Sequence, residues 1–76
     1  MAYYANIIID ISTGKLDRTF QYRIPEELFA QIYPGVQVNI PFGKNNRMVS
    51  GFVIEVTDQA EYDEKKLKEI DSVASD

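Results

Sequence analysis

The run of residues 40–48, IPFGKNNRM, carries the residue types best suited to binding chemistry in this chain. It closes an alternating apolar pattern, turns through Gly43, and presents Lys44 and Arg47. No Asp or Glu occurs from residue 28 to residue 54, so these two cations have no acidic neighbour in the sequence. A glycine turn exposes backbone amides, and amides together with cations favour an anion. The pattern predicts an anionic ligand, with Lys44 and Arg47 contacting phosphate.

The composition argues against several other kinds of chemistry. The 76 residues form one domain at most, with a thin core and no room for a cleft between lobes. The absence of His and Cys removes the commonest general base, thiol chemistry and cysteine metal sites. The sequence shows no long apolar run and no signal-peptide pattern, so we expect a cytoplasmic location and no membrane contact. An enzyme is the least favoured class of function.

The formal net charge of −4 is distributed unevenly along the chain. Residues 1–56 contain five basic and five acidic side chains, whereas residues 57–76 contain seven acids and three lysines. General binding to duplex DNA requires many cations, and this chain does not have them. A neutral body of this kind is still compatible with binding one or two phosphates, or the end of a strand.

Alternating and β-branched residues predict four strands, which are residues 3–11, 19–24, 36–40 and 48–57. In the second strand, Phe20 shares a face with Tyr22, while Gln21 lies on the opposite face. Gly51, inside the last strand, indicates a bulge or a bend. Four strands with short loops are typical of a small antiparallel β-barrel, either an OB-like barrel or a half-barrel.

Two helices complete the predicted fold, which is mainly β. A short helix is predicted to begin at Pro25 and to end before Pro34. A C-terminal helix is predicted over residues 64–73, because Leu67 and Ile70 lie three residues apart. The chain begins with Met and stops soon after this stretch, so we expect residues 1–76 to be a single N-terminal domain of a longer protein.

Two segments in order, LDRTFQYRIPEEL and PGVQVNIPFGKNNRMVSGFVIEV, followed by a Leu-Lys pair, resemble the N-terminal domain of the replication restart helicase PriA (primosomal protein N′). The resemblance covers nearly the whole chain. It implies a module that binds the 3′ end of single-stranded or forked DNA, such as the nascent leading strand at a stalled fork. It also implies a parent ATP-dependent 3′–5′ DNA helicase that uses ATP, Mg and Zn, with primosome and single-strand-binding proteins as partners. The chain itself contains no G-x-x-x-x-G-K-(S/T) loop, and no cofactor is expected in it.

The same resemblance implies a pocket for the terminal nucleotide. Carried over by motif, its residues are Phe20, Gln21, Gly43 and Lys68. Gln21 departs from the pattern, because better-known members have Asp there, and an amide both donates and accepts whereas Asp only accepts. The predicted DNA-binding set is therefore Phe20, Gln21, Gly43, Lys44, Arg47 and Lys68.

Each of these residues has a structural alternative that the sequence leaves open. Phe20 could be a core residue rather than a stacking platform, and Gly43 could serve only as a turn glycine. Lys68 lies in an acidic stretch and could simply pair with Glu64 four residues earlier. By default Arg23 would pair with the nearby Glu26. The rival function is a protein-interaction or scaffold domain that packs on the rest of the helicase or on primosome partners.

Overall fold

The structure, a computed structural model, describes residues 2–9, 19–61 and 66–74. The described chain forms one antiparallel sheet of five strands in the order β2-β1-β4-β3-β5. The strands are β1 Tyr3–Ile9, β2 Thr19–Ile24, β3 Gln37–Phe42, β4 Arg47–Thr57 and β5 Ser72–Val73. A 3₁₀ helix, Glu26–Gln31, follows β2. The mainly β fold class and the short helix after Pro25 are confirmed.

The four predicted strands are present, with small differences at their ends. The bounds of β2 are those predicted, whereas β3 extends two residues further, to Phe42, and β4 begins one residue earlier, at Arg47. Both extensions belong to the β3–β4 hairpin, in which Phe42 pairs with Arg47 across the turn. The end of the first predicted strand, beyond Ile9, lies outside the described residues.

The predicted C-terminal helix is wrong for the described residues from 66 onward. Backbone groups of this segment are used by the sheet instead: Arg23 N–H donates to Lys68 O (2.8 Å), and Ile70 N–H donates to Arg23 O (3.0 Å). The side chain of Ile70 is 1% exposed and belongs to the core. A three-residue spacing of Leu67 and Ile70 does not distinguish a helix from an extended segment that inserts one side chain into a core.

We call residues 68–74, which include β5, the C-terminal segment. This segment contacts β2 and β3, the outer strands of the four that precede it in the chain. On the β3 side, Asp71 N–H donates to Asn39 O and Ala74 N–H donates to Gln37 O, each at 2.9 Å. On the β2 side a single parallel bridge joins Arg23 to Glu69. This contact is too short to complete the strand pairing, so the sheet is not closed and a closed barrel, one of the two predicted alternatives, is wrong. The segment nevertheless covers both edges of the sheet.

The core lies against one face of the sheet and is made mainly of aliphatic side chains. Its buried members are Ala5, Ile7, Ile9, Tyr22, Ile24, Ile32, Val38, Ile40, Val53 and Ile70. Gly51 is necessary here, because an added Cβ would lie 2.5 Å from Ile7 Cγ2 and 3.0 Å from the backbone oxygen of Ile8. The register shift between β1 and β4 falls at Asn6/Ile7 and not at Gly51, so this glycine serves a close approach of strands rather than the predicted bulge.

Within the described part of the chain, no helix has the length and apolar character needed to cross a membrane.

Candidate functional site

A cleft of about 310 Å³ lies between the start of β2, the β3–β4 turn and residues 66–68. We call it the aromatic cleft. Its lining residues are Phe20, Gln21, Tyr22, Phe42, Gly43, Lys66, Leu67 and Lys68. Four of the six sequence-predicted site residues, from three distant parts of the chain, therefore meet around one cleft: Phe20, Gln21, Gly43 and Lys68.

Two phenylalanines form the apolar part of the cleft. The rings of Phe20 and Phe42 are 5.2 Å apart between centroids and meet edge to face at 79°. Both side chains are half-buried and pack against the core while they line the cleft. The two alternatives for Phe20 are therefore compatible. Its ring packs against the core and lines the cleft as well.

Tyr22 supports the same wall from below. Its hydroxyl donates a hydrogen bond to the backbone oxygen of Pro41 at 2.7 Å, which ties β2 to the end of β3. The side chain is buried, and loss of solvent raises the pKa of the Tyr22 hydroxyl above its ordinary value of 10.0. Tyr22 thus stays neutral in the physiological range and acts as a hydrogen-bond donor.

The β3–β4 turn gives the cleft its second side. Gly43 has φ +79° and Asn46 has φ 51°, and Asn46 N–H donates to Gly43 O at 3.1 Å. A Cβ on Gly43 would meet no atom within 4 Å, so the glycine is required by its backbone conformation and not by crowding. The same carbonyl also accepts a hydrogen bond from Lys68 Nζ at 2.7 Å.

Lys68 thereby joins the C-terminal segment to the hairpin turn. The predicted alternative, an ion pair with Glu64, involves a residue outside the described ranges. An ammonium group has three N–H donors, so the bond to Gly43 leaves donor capacity for a ligand. Lys66, also at the cleft, is exposed. Among the described lining residues both charged side chains are lysines, which gives the cleft a positive rim.

Gln21 lies on the opposite face of β2 from Phe20, and it is 6% exposed. Its Oε1 accepts a hydrogen bond from Glu61 N–H at 2.8 Å, and its Nε2 donates to Gln59 O at 3.2 Å. The carboxamide is thus used on both of its polar atoms by the backbone of one short segment.

Lys44 and Arg47 lie on the same hairpin as Gly43 and are exposed, but they do not line the aromatic cleft. Lys44 is in the turn and Arg47 opens β4. Arg23 lies 3.9 Å from the carboxylate of Glu69, a residue distant in the sequence. The distant partner follows from the contact between β2 and the C-terminal segment.

The sequence did not identify four of the residues around the cleft, namely Tyr22, Phe42, Lys66 and Leu67. Phe42 had a signal, because it directly precedes Gly43 in the hairpin motif. Tyr22 had the same alternation as Phe20. The remaining two had none, since a helix predicted over them left their positions in the fold undefined.

A second, larger cleft of about 510 Å³ shares Lys68 with the aromatic cleft. We call it the acidic cleft. Its lining residues are Pro25, Glu27, Pro41, Asn46, Met48, Lys68, Glu69, Ile70 and Asp71. Across the residues that the structure describes, no group of three or more His, Cys, Asp or Glu side chains is arranged to hold a metal ion.

Comparisons of the sequence with known proteins identify the family of this chain. The sequence profile of the PriA 3′ DNA-binding domain, described as "3′DNA-binding domain (3′BD)", matches residues 6–76. The chain is also 37% identical over 70 residues to a curated relative, the replication restart protein PriA of Bacillus subtilis (strain 168). The match covers 92% of this chain and 8% of that protein's length, so the chain corresponds to a small part of its relative. The chain belongs to the family of PriA 3′ DNA-binding domains.

Proposed function

We propose that this domain recognises the free 3′ end of a DNA strand and that the terminal nucleotide enters the aromatic cleft. The observation that carries the proposal is the meeting of Phe20, Gly43 and Lys68, from three distant parts of the chain, around one cleft. Phe20 would stack on the terminal base, and a lysine would balance the charge of the nearest phosphate. The hairpin turn would lie beside the 3′ hydroxyl.

Lys44 and Arg47 extend the positive surface from the cleft along the hairpin. Both are exposed, and neither has an acidic neighbour within the hairpin sequence. In this proposal they contact phosphates of the nucleotides that precede the terminal one. Because few phosphates are met, affinity should be modest and should fall with salt less steeply than for a duplex-binding protein.

In the same proposal the parent protein is an ATP-dependent 3′–5′ helicase acting in replication restart at stalled forks. ATP, Mg and Zn would be bound by its other parts, and primosome and single-strand-binding proteins would be its partners. The way the C-terminal segment covers both sheet edges supports an OB-like half-barrel as the architecture of the domain.

The test compares three forms of one short DNA strand by fluorescence anisotropy at low salt: a free 3′ hydroxyl, a 3′ phosphate and a closed circle. We expect the free hydroxyl to bind about fivefold or more tightly than the 3′ phosphate, because one end-specific hydrogen bond is worth about 1 kcal/mol. The circle, which has no end, should bind weakest. Equal affinity for all three would refute end recognition and leave simple backbone contact.

A second candidate function, an interaction surface for other protein domains, is favoured by exposed apolar residues on β4. Phe52 is 39% exposed and Ile54 is 47% exposed. A titration with single-stranded DNA, followed by amide NMR signals, separates the two candidates. A DNA-binding domain shows shifts in residues 41–47, whereas a scaffold domain shows no DNA-dependent shifts there.

A further inference from the structure

Gln21 makes an unusual pair of contacts for a residue at a proposed binding cleft. Oε1 accepts from the Glu61 amide and Nε2 donates to the Gln59 carbonyl, at 2.8 Å and 3.2 Å. A single side chain therefore presents the same acceptor and donor that a neighbouring strand would present. Gln59 and Glu61 are themselves exposed, so this pair of bonds anchors a segment that has little burial of its own.

We propose that Gln21 is a positioning residue: it fixes residues 59–61, from which the chain continues to the lysines at the cleft, and it does not read the terminal base. The proposal rests on the proposed function, since it concerns how the cleft is held for DNA. With 6% of its surface exposed, Gln21 has little area left for a ligand, although it contributes to the cleft lining.

The chemistry of the side chain explains why an amide suits this position. Bridging Glu61 N–H and Gln59 C=O requires one acceptor and one donor, which a carboxamide has and a carboxylate lacks. A carboxylate could keep the bond from Glu61 N–H, but its second oxygen would face the Gln59 carbonyl, acceptor against acceptor. The departure from the Asp suggested by the family resemblance therefore assigns the position a different task in this chain.

The segment held in this way leads toward the positive rim of the cleft. Gln59 N–H also donates to Thr57 Oγ1 at 3.1 Å, so the end of β4 and the Gln21 bridge fix the same short stretch from two sides. The position of Lys66 and Lys68 beside Phe20 then depends on a fixed point at residue 61 and on the contact of Lys68 O with Arg23 N–H. Removing the fixed point at residue 61 should move Lys66 and Lys68 without unfolding the sheet.

The test uses Gln21→Met, which keeps the shape of the side chain and removes both hydrogen bonds. Amide hydrogen exchange at Glu61 should accelerate roughly five- to tenfold, as expected for the loss of one net hydrogen bond. The amide signals of Lys66 and Lys68 should shift. Protection at Ile70, whose N–H donates to Arg23 O, reports that the sheet is intact.

Gln21→Glu, which keeps the acceptor, should restore protection at Glu61. The matched control is Gln59→Ala, because the bridge uses only the backbone of Gln59.

The second arm measures the affinity of the unmutated domain and of Gln21→Met for four DNA strands that differ only in the 3′-terminal base. A positioning residue predicts the same loss for all four, roughly three- to tenfold, with no change in their ranking. A changed ranking would overturn the proposal, because it would make Gln21 a reader of the base. Unchanged exchange at Glu61 would overturn it as well.

A failure of the proposed function has a different signature. If the unmutated domain binds none of the four strands, the proposed end recognition is refuted. The hydrogen-exchange data still decide the role of Gln21. Faster exchange at Glu61 together with shifts at Lys66 and Lys68 then supports positioning, and the absence of either change refutes it.

Discussion

The aromatic cleft and the acidic cleft share Lys68, but they differ in size, charge and aromatic content. The aromatic cleft is smaller, about 310 Å³ against about 510 Å³, and is lined by phenylalanine rings and lysines. The acidic cleft is lined by Glu27, Glu69 and Asp71. In the proposed function size alone would select the wrong cleft, because three of the four charged side chains that line the acidic cleft are carboxylates, which repel a phosphate group.

The comparison also explains how an acidic chain can belong to a DNA-binding family. Residues 66–71 contribute Lys66 to the aromatic cleft, Lys68 to both clefts, and Glu69 and Asp71 to the acidic one. Net charge averages over surfaces that a ligand never meets together. The local sign of the field at a cleft, within about one Debye length, is what a strand end experiences.

The largest difference between the clefts should appear on removal of Phe20. Phe20→Ala should weaken binding of a 3′-hydroxyl strand by about 5- to 150-fold, because aromatic–base stacking is worth about 1–3 kcal/mol. Met48→Ala in the acidic cleft is the matched control, since Met48 is 51% exposed and should leave affinity unchanged. Anisotropy titrations check both, after circular dichroism has confirmed the fold. Equal losses for the two variants would remove the distinction between the clefts.

A smaller effect is expected for Lys68, which lines both clefts. Lys68→Met removes the hydrogen bond to Gly43 O and should reduce affinity about fivefold, because a loosened turn costs about 1 kcal/mol. If this lysine acts by holding the turn, the salt dependence of binding stays as in the parent. A shallower salt slope would instead show that Lys68 contacts a phosphate directly.

Lys66 sharpens the electrostatic part of the comparison. Lys66→Gln should reduce the slope of log affinity against log salt by about 0.7, the value for one phosphate contact on a single strand. The resulting loss of affinity should be roughly threefold at moderate salt. Glu27→Gln, in the acidic cleft, should leave the slope unchanged. Titrations at four salt concentrations measure the slopes, and a steeper or equal slope in Lys66→Gln would contradict the assignment.

For Tyr22, which supports the aromatic wall, the expected effect is on stability rather than on affinity. Tyr22→Phe should cost about 1 kcal/mol of stability at pH 8, because the hydroxyl donates to Pro41 O. Burial raises the pKa of this hydroxyl above 10.0, so the unfolded chain releases the proton first as the pH rises. Stability from this group is therefore constant below about pH 10 and is lost above it. Urea unfolding should show that the free energy of unfolding of the unmutated domain exceeds that of Tyr22→Phe at pH 8 and approaches it above pH 10. A difference in unfolding free energy that does not change with pH would contradict the raised pKa of Tyr22.

The strands of this domain were predictable because their signal is local. Alternation in β2 and β3 fixes which side chains face the core, and Pro25 and Gly43 mark the ends of neighbouring elements. The C-terminal segment was not predictable, because its hydrogen bonds go to strands distant in the sequence. Spacing of Leu67 and Ile70 is equally consistent with a helix.

The residues of the candidate site also fall into those that the sequence could predict and those that it could not. Gly43 and the cations of the hairpin carry their own local signal, and Phe20 was found through the family resemblance. The buried bridge from Gln21 to residues 59–61 could not be anticipated, since alternation places a residue on a face but does not show what covers that face. Lys66 was missed for the same reason as the segment on which it lies.

The contacts of the C-terminal segment with β2 and β3 determine the order in which the domain can fold during its synthesis. A ribosome releases the chain from its N-terminus, so β1 to β4 are available before residues 66–74 emerge. Pairing between distant parts of a chain is intrinsically slow compared with hairpin formation. The lysine side of the aromatic cleft should therefore be completed last, in the same step that covers the open strand edges. A nascent chain halted before that step would have the aromatic wall but little affinity for a strand end.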